Sequence, residues 1–82
     1  MRIVAELPHA ICKITIFKMG EKFIVKLEQG PYEQSYKISE LNLNGNGVND
    51  IFQFLDDEFM ETVKLRFESM RGDFTTAYNR HM

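Results

Sequence analysis

The feature that most constrains this fold is a pair of turn signals that agree on one apolar face. Met19-Gly20 and Gly30-Pro31 are dipeptides typical of tight turns between antiparallel strands. A two-residue turn at Met19-Gly20 also sets Lys18 opposite Glu21, a favourable pair of opposite charges. The other pairings that the two turns predict are Ile16 with Phe23, Ile14 with Val25, Cys12 with Leu27, Val25 with Tyr36, and Phe23 with Ile38. Because side chains alternate along a strand, these apolar residues all lie on one face of the sheet.

The two turns predict an antiparallel meander. A slip of one residue in either turn would move apolar side chains to the other face, so the shared apolar face supports both turns. We predict strands over about residues 2–7, 10–18, 22–29 and 32–39. For the first strand, a turn at Pro8-His9 would set Ile3 opposite Ile14 and Ala5 opposite Cys12, again on the apolar face. A longer bend or a bulge is the alternative, because proline cannot adopt the positive φ that tight hairpins favour.

Residues after the sheet predict a loop and then a long helix. The loop, residues 41–47, is rich in Asn and Gly, which are typical of turns. Apolar residues then recur at helical intervals, which predicts a helix over about residues 48–70: Val48, Phe52, Leu55, Phe59, Val63 and Met70. Gly72 is a typical residue for the end of a helix. Residues 73–82 are expected to form a short helix or a tail.

These elements predict a single α+β domain over residues 1–82, a three- to four-stranded antiparallel meander with one long C-terminal helix packed on one face. A domain of this size buries only about 60–65% of the surface of its unfolded chain, which leaves a small core. Cys12 is the only cysteine, so an intrachain disulfide cannot stabilise the fold. Self-association is the remaining common route to a larger core.

Charge and composition limit the partners that we expect. The net charge of −2 gives no overall attraction to nucleic acid or to an anionic membrane. No run approaches the roughly 18 apolar residues of a membrane span, and Glu6 and Pro8 interrupt the apolar start, which does not resemble a signal peptide. A lone thiol without an export signal favours the cytoplasm. We expect no membrane partner and no cofactor.

Residues 42–53 follow part of the spacing of an EF-hand calcium loop, with Asn at the first, third and fifth places and Gly47 at the sixth. A calcium site requires several carboxylates, but Asp50 is the only one here, and Gln53 stands where a bidentate Glu belongs. We interpret the segment as a turn that caps a helix, and we expect no metal. Gly45-x-Gly47 at the start of a helix is a weaker signal for phosphate binding.

No group of residues predicts catalysis. A cluster of acidic residues has no histidine near it and predicts a solvated helix face, or a docking surface for a basic partner: Asp56, Asp57, Glu58 and Glu61. Cys12 lies at a position that we expect to be buried, where thiols act as small apolar groups. His9 is close in sequence but has no acid to orient it. The sequence therefore favours a protein that is not an enzyme.

The long helix has more apolar surface than one sheet covers. On a helical wheel of about 100° per residue that starts at Val48, Phe54 and Leu65 lie on one flank of the stripe, and Met60 and Phe67 lie on the other. Either the C-terminal residues cover these flanks or a second subunit does. Our leading hypothesis is a non-enzymatic interaction module that acts as a homo-oligomer, most simply a dimer, with these four residues in the interface.

The opposite face of the sheet leads to a second hypothesis, single-stranded nucleic-acid binding. This face carries lysines around an exposed ring: Lys13, Phe17, Lys22, Lys26 and Lys37. Basic groups bind phosphates and rings stack on bases. A meander followed by a helix is also similar in architecture to Pur-alpha-like domains, although no motif is shared. Against this hypothesis, Glu28 and Glu33 lie on the same face, and lysines commonly protect sheets from edge-to-edge pairing.

Overall fold

In the computed structural model, which describes residues 1–82, a four-stranded antiparallel meander precedes two helices. The strands, which neighbour one another in chain order, are β1 (Arg2–Pro8), β2 (Lys13–Met19), β3 (Lys22–Gln29) and β4 (Tyr32–Ser39). A short 3-10 helix (Glu40–Asn42) follows, and the helices are α1 (Val48–Phe54) and α2 (Asp57–His81). The predicted α+β class, with its meander and long C-terminal helix, is confirmed.

The β3–β4 pairing has the predicted register, whereas the β2–β3 pairing is shifted by two residues. Val25 lies opposite Tyr36, as the second turn predicts. Between β2 and β3, however, Met19 lies opposite Lys22, so the two-residue loop is Gly20-Glu21, one residue later than predicted. Gly20 has a φ of 60°, which glycine adopts without steric strain and which suits the first position of such a loop. Since a shift of two residues keeps each side chain on its face, the predicted apolar face is correct although the partners differ.

β1 is present, but a bulge changes its register. Ala5 lies opposite Ile16 rather than Cys12, and the pairing becomes irregular between Ile3 and Ala5. A bulge adds an unpaired residue and therefore alters which side chains share a face. Ile3 lies opposite Phe17 and is exposed, so its predicted position on the apolar face is wrong.

The core lies between the inner face of the sheet and the two helices. Ten buried residues form it: Cys12, Ile14, Ile16, Phe23, Val25, Leu27, Ile51, Met60, Val63 and Phe67. Tyr36 and Ile38, which were predicted for the same layer, are only partly covered because they lie on the edge strand β4. The inner face therefore holds the predicted apolar layer, with its margin open along β4.

The predicted single helix over residues 48–70 is in fact two helices, which meet at Leu55-Asp56. The Asp56 carboxylate accepts a hydrogen bond from the Phe59 backbone N–H at 2.8 Å and caps the start of α2. The Leu55 N–H donates to the carbonyl of Phe52 and closes the last turn of α1. Because this break resets the rotation of the chain, a helical wheel that starts at Val48 does not describe α2.

α2 continues through Gly72 to His81, so the predicted end of the helix at Gly72 is wrong. Gly72 does not adopt the positive φ by which glycine terminates helices. Its cost within a helix is only about 1 kcal/mol relative to alanine, and apolar residues on both sides belong to one helical stripe. The 25 residues of α2 give a length of about 37 Å at 1.5 Å per residue. The helix therefore accounts for much of the longest dimension of the molecule, 48 Å.

Candidate interaction surfaces

α2 runs antiparallel to the edge strand β4 and is held against it along its first half. The ring of Phe59 meets the ring of Tyr36 edge-on, with centroids 5.6 Å apart. One helical turn further on, the buried Gln34 side chain donates to the backbone carbonyl of Val63 at 3.2 Å. Gln34 also accepts a hydrogen bond from the Tyr36 hydroxyl at 3.1 Å. These contacts fix the position of α2 along the margin of the sheet.

The last contacts between α2 and the sheet lie at the turn between β3 and β4. Arg71 donates to the Gln29 side-chain carbonyl at 2.6 Å, and its guanidinium lies 5.9 Å from the centroid of the Tyr32 ring. The ring of Phe74 meets Tyr32 edge-on, with centroids 6.4 Å apart. Beyond Phe74, every residue of the chain except Ala77 is exposed. We call residues 73–82 the projecting segment, because the helix here extends past the sheet.

The apolar stripe of α2 continues from the core into the projecting segment. Its residues alternate in steps of three and four along the chain: Met60, Val63, Phe67, Met70, Phe74, Ala77 and His81. This spacing is typical of a helix that packs along another helix. Phe74 is 63% exposed, and Tyr78, which lies one turn beyond it, is 55% exposed. One stripe is therefore covered by the sheet at its start and uncovered at its end.

Two of the four predicted interface residues belong to the core of the single chain. Met60 and Phe67 are 3% and 0% exposed, so their predicted role on an oligomer surface is wrong. The error follows from the break before α2, which rotates these residues onto the sheet. Phe54 and Leu65 are exposed, but Leu65 lies on the side of α2 opposite its apolar stripe. An interface role for these two residues stays a prediction, and the structure does not bring them together into one patch.

A second apolar surface is an open groove between β4 and the junction of the two helices. Its volume is about 290 Å³, and its apolar lining is Val25, Tyr36, Ile38, Phe54, Leu55 and Phe59. Lys37 lies at the same groove. The groove is beside the start of α2, so the two uncovered apolar surfaces lie at opposite ends of one helix.

The half of the outer sheet face that carries Glu28 and Glu33 also holds two of the lysines predicted to bind nucleic acid, Lys13 and Lys26. The ammonium group of Lys26 lies 3.5 Å from a carboxylate oxygen of Glu33 and 3.8 Å from one of Glu28. Lys13 lies opposite Glu28 in the neighbouring strand. The positive charges of this half therefore have carboxylates beside them.

In the other half of the outer face, no carboxylate lies in the rows of residues that are opposite one another in neighbouring strands. Phe17 lies opposite Ile24, which in turn lies opposite Lys37. In the next row Lys22 lies opposite Ser39. Three of the five predicted residues, Phe17, Lys22 and Lys37, therefore lie in rows without a carboxylate, whereas Lys13 and Lys26 have carboxylates beside them.

Asp50 organises the loop that resembles part of an EF-hand. It is only 3% exposed, and its carboxylate accepts hydrogen bonds from the backbone N–H groups of Asn44 and Asn46 at 2.9 and 3.0 Å. The side-chain amide of Asn46 donates a third bond at 3.2 Å. The bond from the Asn46 backbone is the main cause that lowers the pKa of Asp50 below its ordinary value, and the carboxylate stays ionised. Its oxygens bind the loop itself, which agrees with a turn that leads into a helix.

Cys12 and His9 both lie at the β1–β2 connection, and no hydrogen bond joins their side chains. Cys12 is buried, and this burial raises the pKa of its thiol above the ordinary value, so the nucleophilic thiolate is disfavoured. The Nδ1 atom of His9 accepts a hydrogen bond from the Ile11 backbone N–H at 3.2 Å and helps to shape the β1–β2 connection.

Comparison with known proteins found no match to this chain among protein-family models, curated proteins or solved structures. None of its helices combines the length and the apolar character that crossing a bilayer requires. The exposed surfaces of the fold are therefore the indicators of its function. Among these surfaces the projecting segment stands out, because Phe74 and Tyr78 are both more than half exposed on an ordered helix.

Proposed function

We propose that this protein is a non-enzymatic interaction module that works as a homodimer, with the projecting segment in its interface. The supporting observation is the exposure of Phe74, on the same stripe that forms the core nearer the start of α2, and of Tyr78 one turn beyond it. Large aromatic residues are enriched at the centres of protein interfaces because they bury much apolar surface. A small domain with one buried thiol and no disulfide also gains stability from a partner.

Helix physics supports a partner for this segment. Nothing in the chain packs over the last two turns of α2, and isolated helices shorter than about 12–15 residues are marginal in water. Contact with a second copy would hold these turns in the helical state, and in a two-fold dimer it would cover the aromatic rings of both copies. We therefore expect binding to reduce the fraying of α2 as well as to bury surface.

The direct test is the mass of the protein in solution. Sedimentation equilibrium between about 1 and 100 μM should show the mass rising from that of one chain to that of two, with a dissociation constant in the micromolar range. Light scattering on the eluting peak of a sizing column provides an independent mass. A single-chain mass throughout this range would contradict the proposal.

We place this module in the cytoplasm as part of the same proposal. Its single cysteine is a free thiol in the core, and reducing compartments keep such thiols free. Fractionation of cells that produce the tagged protein tests the location, with recovery outside the cytoplasm as the contrary result.

A second candidate function is single-stranded nucleic-acid binding through the outer sheet face. The observation that favours it is the segregation of charge, which leaves Phe17, Lys22 and Lys37 together in rows without a carboxylate. A ring beside two cations is suited to one stacked base and its neighbouring phosphates. The area is small, so we expect weak binding that falls steeply with salt.

Fluorescence anisotropy with labelled oligothymidine at low salt tests this candidate. The double substitution Lys22→Glu with Lys37→Glu should weaken binding by at least about tenfold, since binding of this kind is dominated by phosphate contacts. The matched control is Lys13→Glu with Lys26→Glu, which makes the same change of charge in the half that already holds Glu28 and Glu33. Equal losses in the two double variants, or binding that does not respond to salt, would exclude this site.

A further inference from the structure

The projecting segment carries two opposite charges on one flank of its apolar stripe. Asp73 and Arg80 are seven residues apart, so they lie on the same side of the helix, about two turns from each other. Both side chains are exposed, and neither takes part in an ion pair within the chain, whose salt bridges involve only other residues. Arg80 has only its neighbour His81 within hydrogen-bonding distance, at 3.4 Å.

Two copies of this segment that run in opposite directions place opposite charges side by side. In an antiparallel pair of helices, residues on the same flank of the apolar stripe in the two copies lie beside each other. A two-fold axis midway between Asp73 and Arg80 therefore brings the carboxylate of each copy beside the guanidinium of the other. In a parallel pair these two residues would not meet.

The stripe between the two charges fits the same orientation. The axis passes close to Ala77, whose small side chain allows two helices to approach closely. Phe74 and Tyr78 lie on either side of it, so the rings of one copy interleave with those of the other. The space that the second helix needs is free, because no part of the same chain covers the stripe beyond Phe74.

We infer that the partner of the projecting segment is a second copy of this chain, and that the two segments pair antiparallel with Asp73 of each copy beside Arg80 of the other. This inference rests on the proposed homodimer and specifies its orientation and contacts. A two-fold pairing makes both ion pairs at once, which favours it over the parallel alignment, in which neither ion pair forms.

Charge reversal tests the orientation. Asp73→Arg alone and Arg80→Asp alone each place like charges in both contacts, so each variant should dimerise about tenfold more weakly than the wild type. An equimolar mixture of the two variants restores both attractive contacts and should form a heterodimer of about wild-type affinity. Sedimentation and native mass spectrometry measure these species. Glu61→Arg, the same change of charge on the polar side of α2, is the control and should leave dimerisation unchanged.

The possible outcomes distinguish failure of the antiparallel pairing from failure of the homodimer. A mixture that dimerises no better than its components overturns the antiparallel pairing. If the wild type is a dimer and neither charge reversal weakens it, the interface lies elsewhere, and the pairing is wrong although the homodimer stands. A monomeric wild type overturns both. Because Asp73 and Arg80 are exposed, circular dichroism of the variants should match that of the wild type.

Discussion

Replacing Phe67 by alanine should lower the free energy of unfolding by about 3–5 kcal/mol, the usual cost of removing a fully buried phenylalanine. Phe67 has no exposed surface and lies between α2 and the inner face of the sheet, where little can move to fill the space. A chain of 82 residues has about 4–12 kcal/mol of stability in total. The substitution therefore removes a quarter or more of it and should lower the thermal midpoint by more than about 12 °C.

Leu65→Ala is the matched control for Phe67→Ala. Leu65 is two residues away on the same helix but is 56% exposed, so its substitution should change stability by less than about 1 kcal/mol. Urea unfolding followed by circular dichroism, at one protein concentration for all variants, measures both effects. If the two substitutions cost the same, α2 does not pack on the sheet as described.

Replacing Phe74 and Tyr78 by aspartate together should raise the dissociation constant of the proposed dimer by at least about a hundredfold. Each chain contributes both positions to the seam, so four aromatic rings are replaced by four carboxylates. The effect on the folded monomer should be small, because these side chains are more than half exposed and only Phe74 meets the sheet, at Tyr32.

Thr75→Asp with Thr76→Asp is the control for this double substitution. It adds the same two negative charges to the same turns of α2, and hence the same unfavourable interaction with the C-terminal end of the helix dipole, but on side chains that lie off the stripe. This variant should dimerise within about threefold of the wild type, since exposed charges away from an interface contribute little. Equal dissociation of both variants would show that charge, and not the aromatic stripe, controls assembly.

The faces of the sheet could be predicted from the sequence, but the exact pairing of β2 with β3 could not. Alternation of apolar and polar residues repeats every two residues, so it distinguishes a slip of one but not a slip of two. Moving the loop from Met19-Gly20 to Gly20-Glu21 makes just this shift. The decision between them depends on the φ angle that Gly20 adopts, which a dipeptide alone does not reveal. At Gly30-Pro31 the turn and the alternation agree, and the register is as predicted.

The projecting segment is harder to predict because two residues of the helical region favour the wrong interpretation. Asp56 is the cap of α2, a common role for aspartate, but its acidic neighbours favoured the interpretation of a charged helix face. Gly72 is typical of a helix end, although the three- and four-residue spacing of the stripe continues past it to His81. Following that spacing through the glycine would have predicted the projecting segment.

Gly72 affects how easily α2 bends when its end contacts a partner. One helix carries both the contacts of Phe67 in the core and the exposed rings of Phe74 and Tyr78, and Gly72 lies between them with no neighbour near the place of its missing side chain. Glycine makes this turn the easiest part of the helix to bend. A partner that bends α2 at Gly72 would therefore have to break only the contact between Phe74 and Tyr32, while the packing around Phe67 would stay in place.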